Sequence, residues 1–189
     1  MTTRFVDVPG GRLFTVDEGA GPPIALLHAG IADQRSWNEI VPLLNATGYR
    51  TIRYDQRGTG GSTTEDVAFF RAADLLAVLD GCGVGRAVLV GNSMGGVLAF
   101  DTAIEAPDRV VAIVGVAAGL GGFDGGNTPE ELAMFDEMER LETARHLESN
   151  APNARALIWP DVAHMIGMEQ PERLTDAIVE FLAKLERWS

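Results

Sequence analysis

The chain has 189 residues, 46% of them apolar, and sets 27 acidic against 15 basic side chains for a net charge of −12. That length and apolar share suit a single domain, 1–189, able to bury a core, and the excess of acid would repel phosphate backbones and anionic lipid, so the expected partner is a small neutral or weakly polar molecule and not nucleic acid or membrane. One cysteine, Cys82, and three scattered histidines give no disulfide and no zinc-ligand spacing, and with no signal-peptide core and no run of about 18 apolar residues the expectation is a soluble, cytoplasmic protein without metal or cofactor.

Residues 4–8 and 12–18 alternate loosely around "PGG", which predicts an opening hairpin with Gly10 and Gly11 in the turn. "PPIALLHAG" follows, and its unbroken apolar run at 24–27 reads as a strand buried on both faces. Trp37, Ile40, Val41 and Leu44 then recur at helical spacing and close on Gly48, a C-cap candidate. "YRTIRYD" is the next strand, and 65–80 carries apolar positions 68, 69, 72, 75, 76 and 79, the pattern of an amphipathic helix.

"AVLVGN" is a third buried strand, leading at once into a helical pattern from Ser93 to about Ala106, where Pro107 stops it. "RVVAIVGVAAG" is a fourth. After the glycine-rich loop, Thr128, Pro129 and Glu131 form a capping box that opens a helix of some twenty residues. A fifth strand, "ARALIW", and an amphipathic helix over 171–185 complete the chain.

Buried strands alternating with amphipathic helices predict an α/β fold, a mostly parallel sheet covered by helices on both faces. Ligands of such sheets bind beyond the carboxyl ends of the strands. The residues found there include Gly91-Asn92-Ser93-Met94-Gly95, which satisfies G-x-S-x-G with the strand before and the helix after that this motif requires. A serine on that turn points above the sheet, and the N–H of Met94, at a helix start, can face an oxyanion formed beside it. His164 follows the last strand, in the order of nucleophile first and histidine last, and is the expected general base. His28 reads as a loop-ordering residue and His146 as an exposed helix residue.

Five motifs in order resemble the α/β-hydrolase fold superfamily, and within it the small esterase-like and carbon–carbon-bond hydrolases. "LLHAGIADQRSW" resembles the oxyanion loop, "YDQRGTGGS" the turn after the next strand and "VGNSMGG" the nucleophile elbow. "APDRV" and "HMIGMEQPERLTDAIVEFL" resemble the approach to the following strand and the histidine loop with its terminal helix. The resemblance spans about residues 12–185. It implies a serine hydrolase acting on small carboxylic esters through an acyl-enzyme, with Ser93 and His164 as catalytic pair and the Gly30 and Met94 amides as oxyanion hole. It also implies an apolar substrate pocket walled by Trp37, Leu120, Phe123 and Met165. Serine at the elbow speaks against the family's dehalogenases and epoxide hydrolases, which use aspartate there; carbon–carbon-bond and lactone hydrolysis stay open.

The pattern departs from the family between 119 and 154, where a helical cap and an Asp-bearing strand are usual. Here "NTPEELAMFDEMERLE" runs straight into "TARHLESNAPNARALIW", so 127–150 reads as a remnant of cap or crossover helix in a truncated fold. Asp124 resembles an alternative acid position and is the candidate third triad member, with a solvated loop aspartate as the other reading. Loss of the orienting acid can lower turnover by about 10⁴-fold, which leaves a second expectation open, a weakly active or inactive module of the same fold. Apolar surface left uncovered by a missing cap predicts a homodimer.

Overall fold

The computed structural model describes residues 1–117 and 165–185. Strands β1 (Thr2–Val8) and β2 (Gly11–Gly19) form the opening hairpin in the register Val8 opposite Gly11. The turn is therefore Pro9-Gly10 alone, with Gly10 at φ 69° and Gly11 already the first residue of β2. β3 (Pro23–Leu27), a one-turn 3-10 helix (Gln34–Trp37), α1 (Ile40–Ala46) and β4 (Arg50–Tyr54) come next. The helical spacing read from Trp37 to Leu44 is thus split into a 3-10 turn and a short α-helix.

The short β5 (Thr63–Thr64) precedes α2 (Arg71–Gly81). This helix starts six residues later than the apolar spacing predicts. Residues before it are held out of the helix by a tight bend, Val67 N–H to Glu65 O at 2.9 Å, and by non-local partners: the Glu65 N–H donates to Gly10 O at 2.8 Å, and the Phe69 ring lies under the Arg57 guanidinium, 4.6 Å from its carbon. β6 (Ala87–Asn92), α3 (Met94–Glu105) and, after a 3-10 turn over Pro107–Arg109, β7 (Val110–Val116) follow as expected. The second described stretch holds α4 (Ile166–Glu169) and α5 (Pro171–Leu182).

The strands make one mixed sheet in the order β1-β2-β4-β3-β6-β7, with β5 paired to β2. β4, β3, β6 and β7 are mutually parallel and form its centre and one side, and the antiparallel hairpin flanks them. Side-chain alternation along β3 explains the two cores. Ala25 and Leu27 face α2 and α3, packing with Leu75, Leu79 and Leu98, while Ile24 and Leu26 face α1, α4 and α5, packing with Ile40, Leu44, Ile166 and Ile178. The α/β fold with helices on both faces is as read from the sequence, with the antiparallel hairpin making the sheet mixed.

Because the central strands are parallel, the loops after β3, β4 and β6 converge at one end. Among the described residues no helix is long and apolar enough to cross a membrane. The predicted strand at 154–159, the helix predicted from 129 and the residues Leu120, Phe123, Asp124 and His164 lie outside the described residues.

Candidate active site

Ser93 joins β6 to α3 with φ 53° and ψ −118°, a conformation that side chains other than glycine seldom adopt. The surrounding glycines make room for it. A Cβ on Gly91 would run into the backbone of Gly95 and Gly96, and a Cβ on Gly95 into the carbonyl oxygens of Leu27 and His28. The turn is closed by Ser93 N–H donating to Val116 O at 2.8 Å and by Gly96 N–H donating back to Ser93 O at 2.8 Å. Each glycine of the motif thus answers a specific close approach of backbone to backbone.

The loop after β3 lies against this elbow. A side chain on Gly30 would overlap the Met94 sulfur, so the residues carrying the two expected oxyanion amides are neighbours. Neither the Gly30 nor the Met94 N–H meets a backbone acceptor in the turns and caps among the described residues. His28 fixes the loop. Its Nδ1 is 2.7 Å from Ala29 O, and its Nε2 accepts from Gln56 N–H at 3.0 Å, a pattern that assigns the proton to Nδ1. Burial holds its pKa below the usual histidine value. With both ring nitrogens engaged, this neutral imidazole is a structural member of the loop, as the sequence suggests.

The turn after β4 explains the spacing of "DQRGTGGS". The buried Asp55 carboxylate accepts from Gln34 N–H at 2.9 Å and from Gly61 N–H at 2.7 Å, and a Cβ on Gly60 would collide with that carboxylate. Ser62 Oγ donates to Asp55 O at 2.5 Å and accepts from Phe14 N–H at 2.8 Å, tying the turn to β2. Arg57 reaches across to Asp74 of α2.

Two hollows flank the elbow. One, of about 260 Å³, is lined by Gly30 and Met94 together with Tyr54, Arg57, Phe69 and Arg71 among others. The other is a tight crevice bordered by Trp37, Asn92, Met165 and Gly167. Trp37 is 2% exposed and packs in the core shared by α1 and α4, and so contributes only to the crevice. Asn92, immediately before Ser93, donates through Nδ2 to the Met165 sulfur at 3.4 Å, linking the elbow to the stretch that follows residue 164. Tyr54, Arg57, Phe69 and Arg71 are cavity residues that the sequence reading missed. Two of them sit inside the quoted "YDQRGTGGS" stretch, whose spacing signals a turn and not a wall.

Known proteins are similar to this chain. A family model described as alpha/beta hydrolase fold matches residues 22–145. Epoxide hydrolase A of Mycobacterium tuberculosis is 35% identical over 123 residues, covering 61% of this chain and 38% of that protein. Rhodomycin D methylesterase DnrP of Streptomyces peucetius is 38% identical over 128 residues, covering 63% of this chain and 43% of that protein. The chain therefore spans less than half the length of either relative. A CIB-like hydrolase from Thermoplasma acidophilum shares the fold, with a TM-score of 0.78, 24% identity and coverage of 97% of this chain and 98% of that one.

Proposed function

The chain belongs to the alpha/beta hydrolase fold family, and from that premise we propose that it is a serine hydrolase cleaving small carboxylic esters through an acyl-enzyme. The observation that carries this reading is Ser93 itself, held at φ 53° between β6 and α3. A hydroxyl placed there by a strained backbone, beside two amides without backbone acceptors among the described residues, matches what acyl transfer needs.

In this mechanism Ser93 Oγ attacks the ester carbonyl while His164 takes its proton. The tetrahedral oxyanion is held by the N–H groups of Gly30 and Met94. Collapse breaks the bond to the alcohol, which leaves with the proton returned by His164. Water, deprotonated by the same histidine, then attacks the acyl-serine and releases the acid. Asp124 is the proposed partner that orients His164.

Similarity to an epoxide hydrolase supports a second reading, but the nucleophile favours the first. A carboxylate that opens an epoxide leaves an ester, which water can cleave at the acyl carbon. A serine would leave an ether with no such carbon, and turnover would stop there. The test is p-nitrophenyl acetate hydrolysis by the parent and by Ser93→Ala, with styrene oxide as the parallel substrate. The parent is expected to hydrolyse the ester and leave the epoxide, and Ser93→Ala to lose at least about 10³-fold in ester turnover. Equal ester rates in the two proteins overturn the reading.

A further inference from the structure

The cavity beside Gly30 and Met94 differs from an ordinary apolar acyl pocket in its charge. Among the described residues that line it, the cations are Arg57 and Arg71 and the only acid is Asp74. Asp74 is already spent, because both its oxygens accept from Arg57, at 2.6 and 2.8 Å. The imidazole of His28 is neutral for the reasons given above. The exposed Arg71 guanidinium has no carboxylate partner among the described residues, which leaves the described lining of the cavity net positive on a chain of net charge −12.

Three further features favour an anion there. Arg71 is the first residue of α2, a helix of 11 residues, and Phe70 before it supplies no side-chain cap. A cation at this end is opposed by the helix dipole, so its placement is unfavourable until an anion sits between them. The first backbone amides of α2 meet no acceptor in the caps among the described residues until Asp74 N–H, which bonds Phe70 O. Independently, Tyr54 is 2% exposed, lines the same cavity and has no hydrogen-bond partner for its hydroxyl among the described residues. Burial raises the phenol's pKa, so the hydroxyl is a donor throughout the working range of pH.

We propose that this cavity binds a free carboxylate carried by the substrate, through Arg71 and the Tyr54 hydroxyl at the head of α2, and so selects monoesters of small dicarboxylic acids over neutral esters. The inference rests on the serine-hydrolase reading for its catalytic half and stands apart from it for binding. The volume, about 260 Å³, is below the roughly 300–1,000 Å³ usual for whole drug-sized ligands and suits a small acid group with a short stem.

The experiment pairs monomethyl glutarate with methyl pentanoate, equal in chain length and differing in the terminal carboxylate, and follows acid release at constant pH and ionic strength. The parent is expected to favour monomethyl glutarate in kcat/KM by about tenfold or more, and Arg71→Gln to bring the ratio of the two esters close to one. In parallel, glutarate is expected to raise the melting temperature of Ser93→Ala, and not of Ser93→Ala/Arg71→Gln, against potassium chloride at equal ionic strength. A ratio near one in the parent, or one unchanged by Arg71→Gln, overturns the proposal while leaving the serine-hydrolase reading intact. An Arg71-dependent glutarate shift without Ser93-dependent hydrolysis of either ester supports the anion site and overturns the catalytic reading. No glutarate shift in Ser93→Ala overturns the anion site.

Discussion

Arg57 and Asp74 form a two-pronged ion pair, Nε to Oδ2 at 2.6 Å and Nη2 to Oδ1 at 2.8 Å, with side chains only 2% and 8% exposed. It fastens the turn after β4 to the first turns of α2. Removing one partner leaves the other charge buried without compensation, which typically costs about 3–5 kcal/mol. Arg57→Ala is therefore expected to lower the unfolding free energy by that order in urea titrations. Arg57→Lys is expected to recover only part of it, since an ammonium cannot reproduce the parallel fork. Full stability in Arg57→Ala would mean that the pair does not fasten this end of α2.

The backbone of Ser93 yields a second prediction. At φ 53° a glycine is free of the Cβ clash that serine and alanine bear. Ser93→Gly is expected to be more stable than Ser93→Ala by about 1 kcal/mol, while both are inactive on p-nitrophenyl acetate. Urea midpoints of the two variants check this. If Ser93→Gly proved no more stable, the elbow would not be strained as its dihedral angles indicate.

Acid sensitivity should be traceable to Asp17. The Arg50 hydrogen bonds, at 2.7 and 2.8 Å, hold its carboxyl below the usual pKa, and Arg4 adds to the effect from 3.2 Å. A folded-state pKa below the unfolded one contributes stability that is complete above the unfolded value, about 3.9. It is lost as the pH falls through the lower folded value. The melting-temperature gap between the parent and Asp17→Asn is thus expected to be constant from pH 7 to about 5 and to shrink below about 4. A gap independent of pH down to 2.5 would remove Asp17 from the account of acid unfolding.

What the sequence disclosed, and what it concealed, follows from the range of the interactions concerned. β3 and β6 are readable because their burial on both faces demands uninterrupted apolar residues, and the elbow because Gly91 and Gly95 meet backbone a few residues away or on the adjoining strand. The start of α2 is concealed because Ala68 and Phe69 continue a helical apolar spacing, while distant partners, Gly10 O and Arg57, help to hold 65–70 out of the helix. The cavity wall is concealed for a related reason. Tyr54 and Arg57 belong to a stretch whose glycines and aspartate signal a turn, and nothing local shows that their side chains meet Arg71 and Phe69 across it. Trp37, expected at an apolar wall, borders the crevice beside Asn92 and also packs into the core under α1, where an aromatic at helical spacing with Ile40 and Leu44 is well placed.

The hydrogen bond from Ser93 N–H to Val116 O makes the last residue of β7 a mechanical support of the elbow. The next residue, Ala117, itself has φ 47°, so the chain bends sharply just beyond that support. Tension or displacement arriving along the backbone after 117 is delivered first to the Val116 carbonyl and from there, through one bond of 2.8 Å, to the amide of the reactive serine. β7, at one edge of the described sheet, is in this sense a lever on the nucleophile. The attitude of Ser93 is set from the flank of the sheet as much as from the glycines beside it.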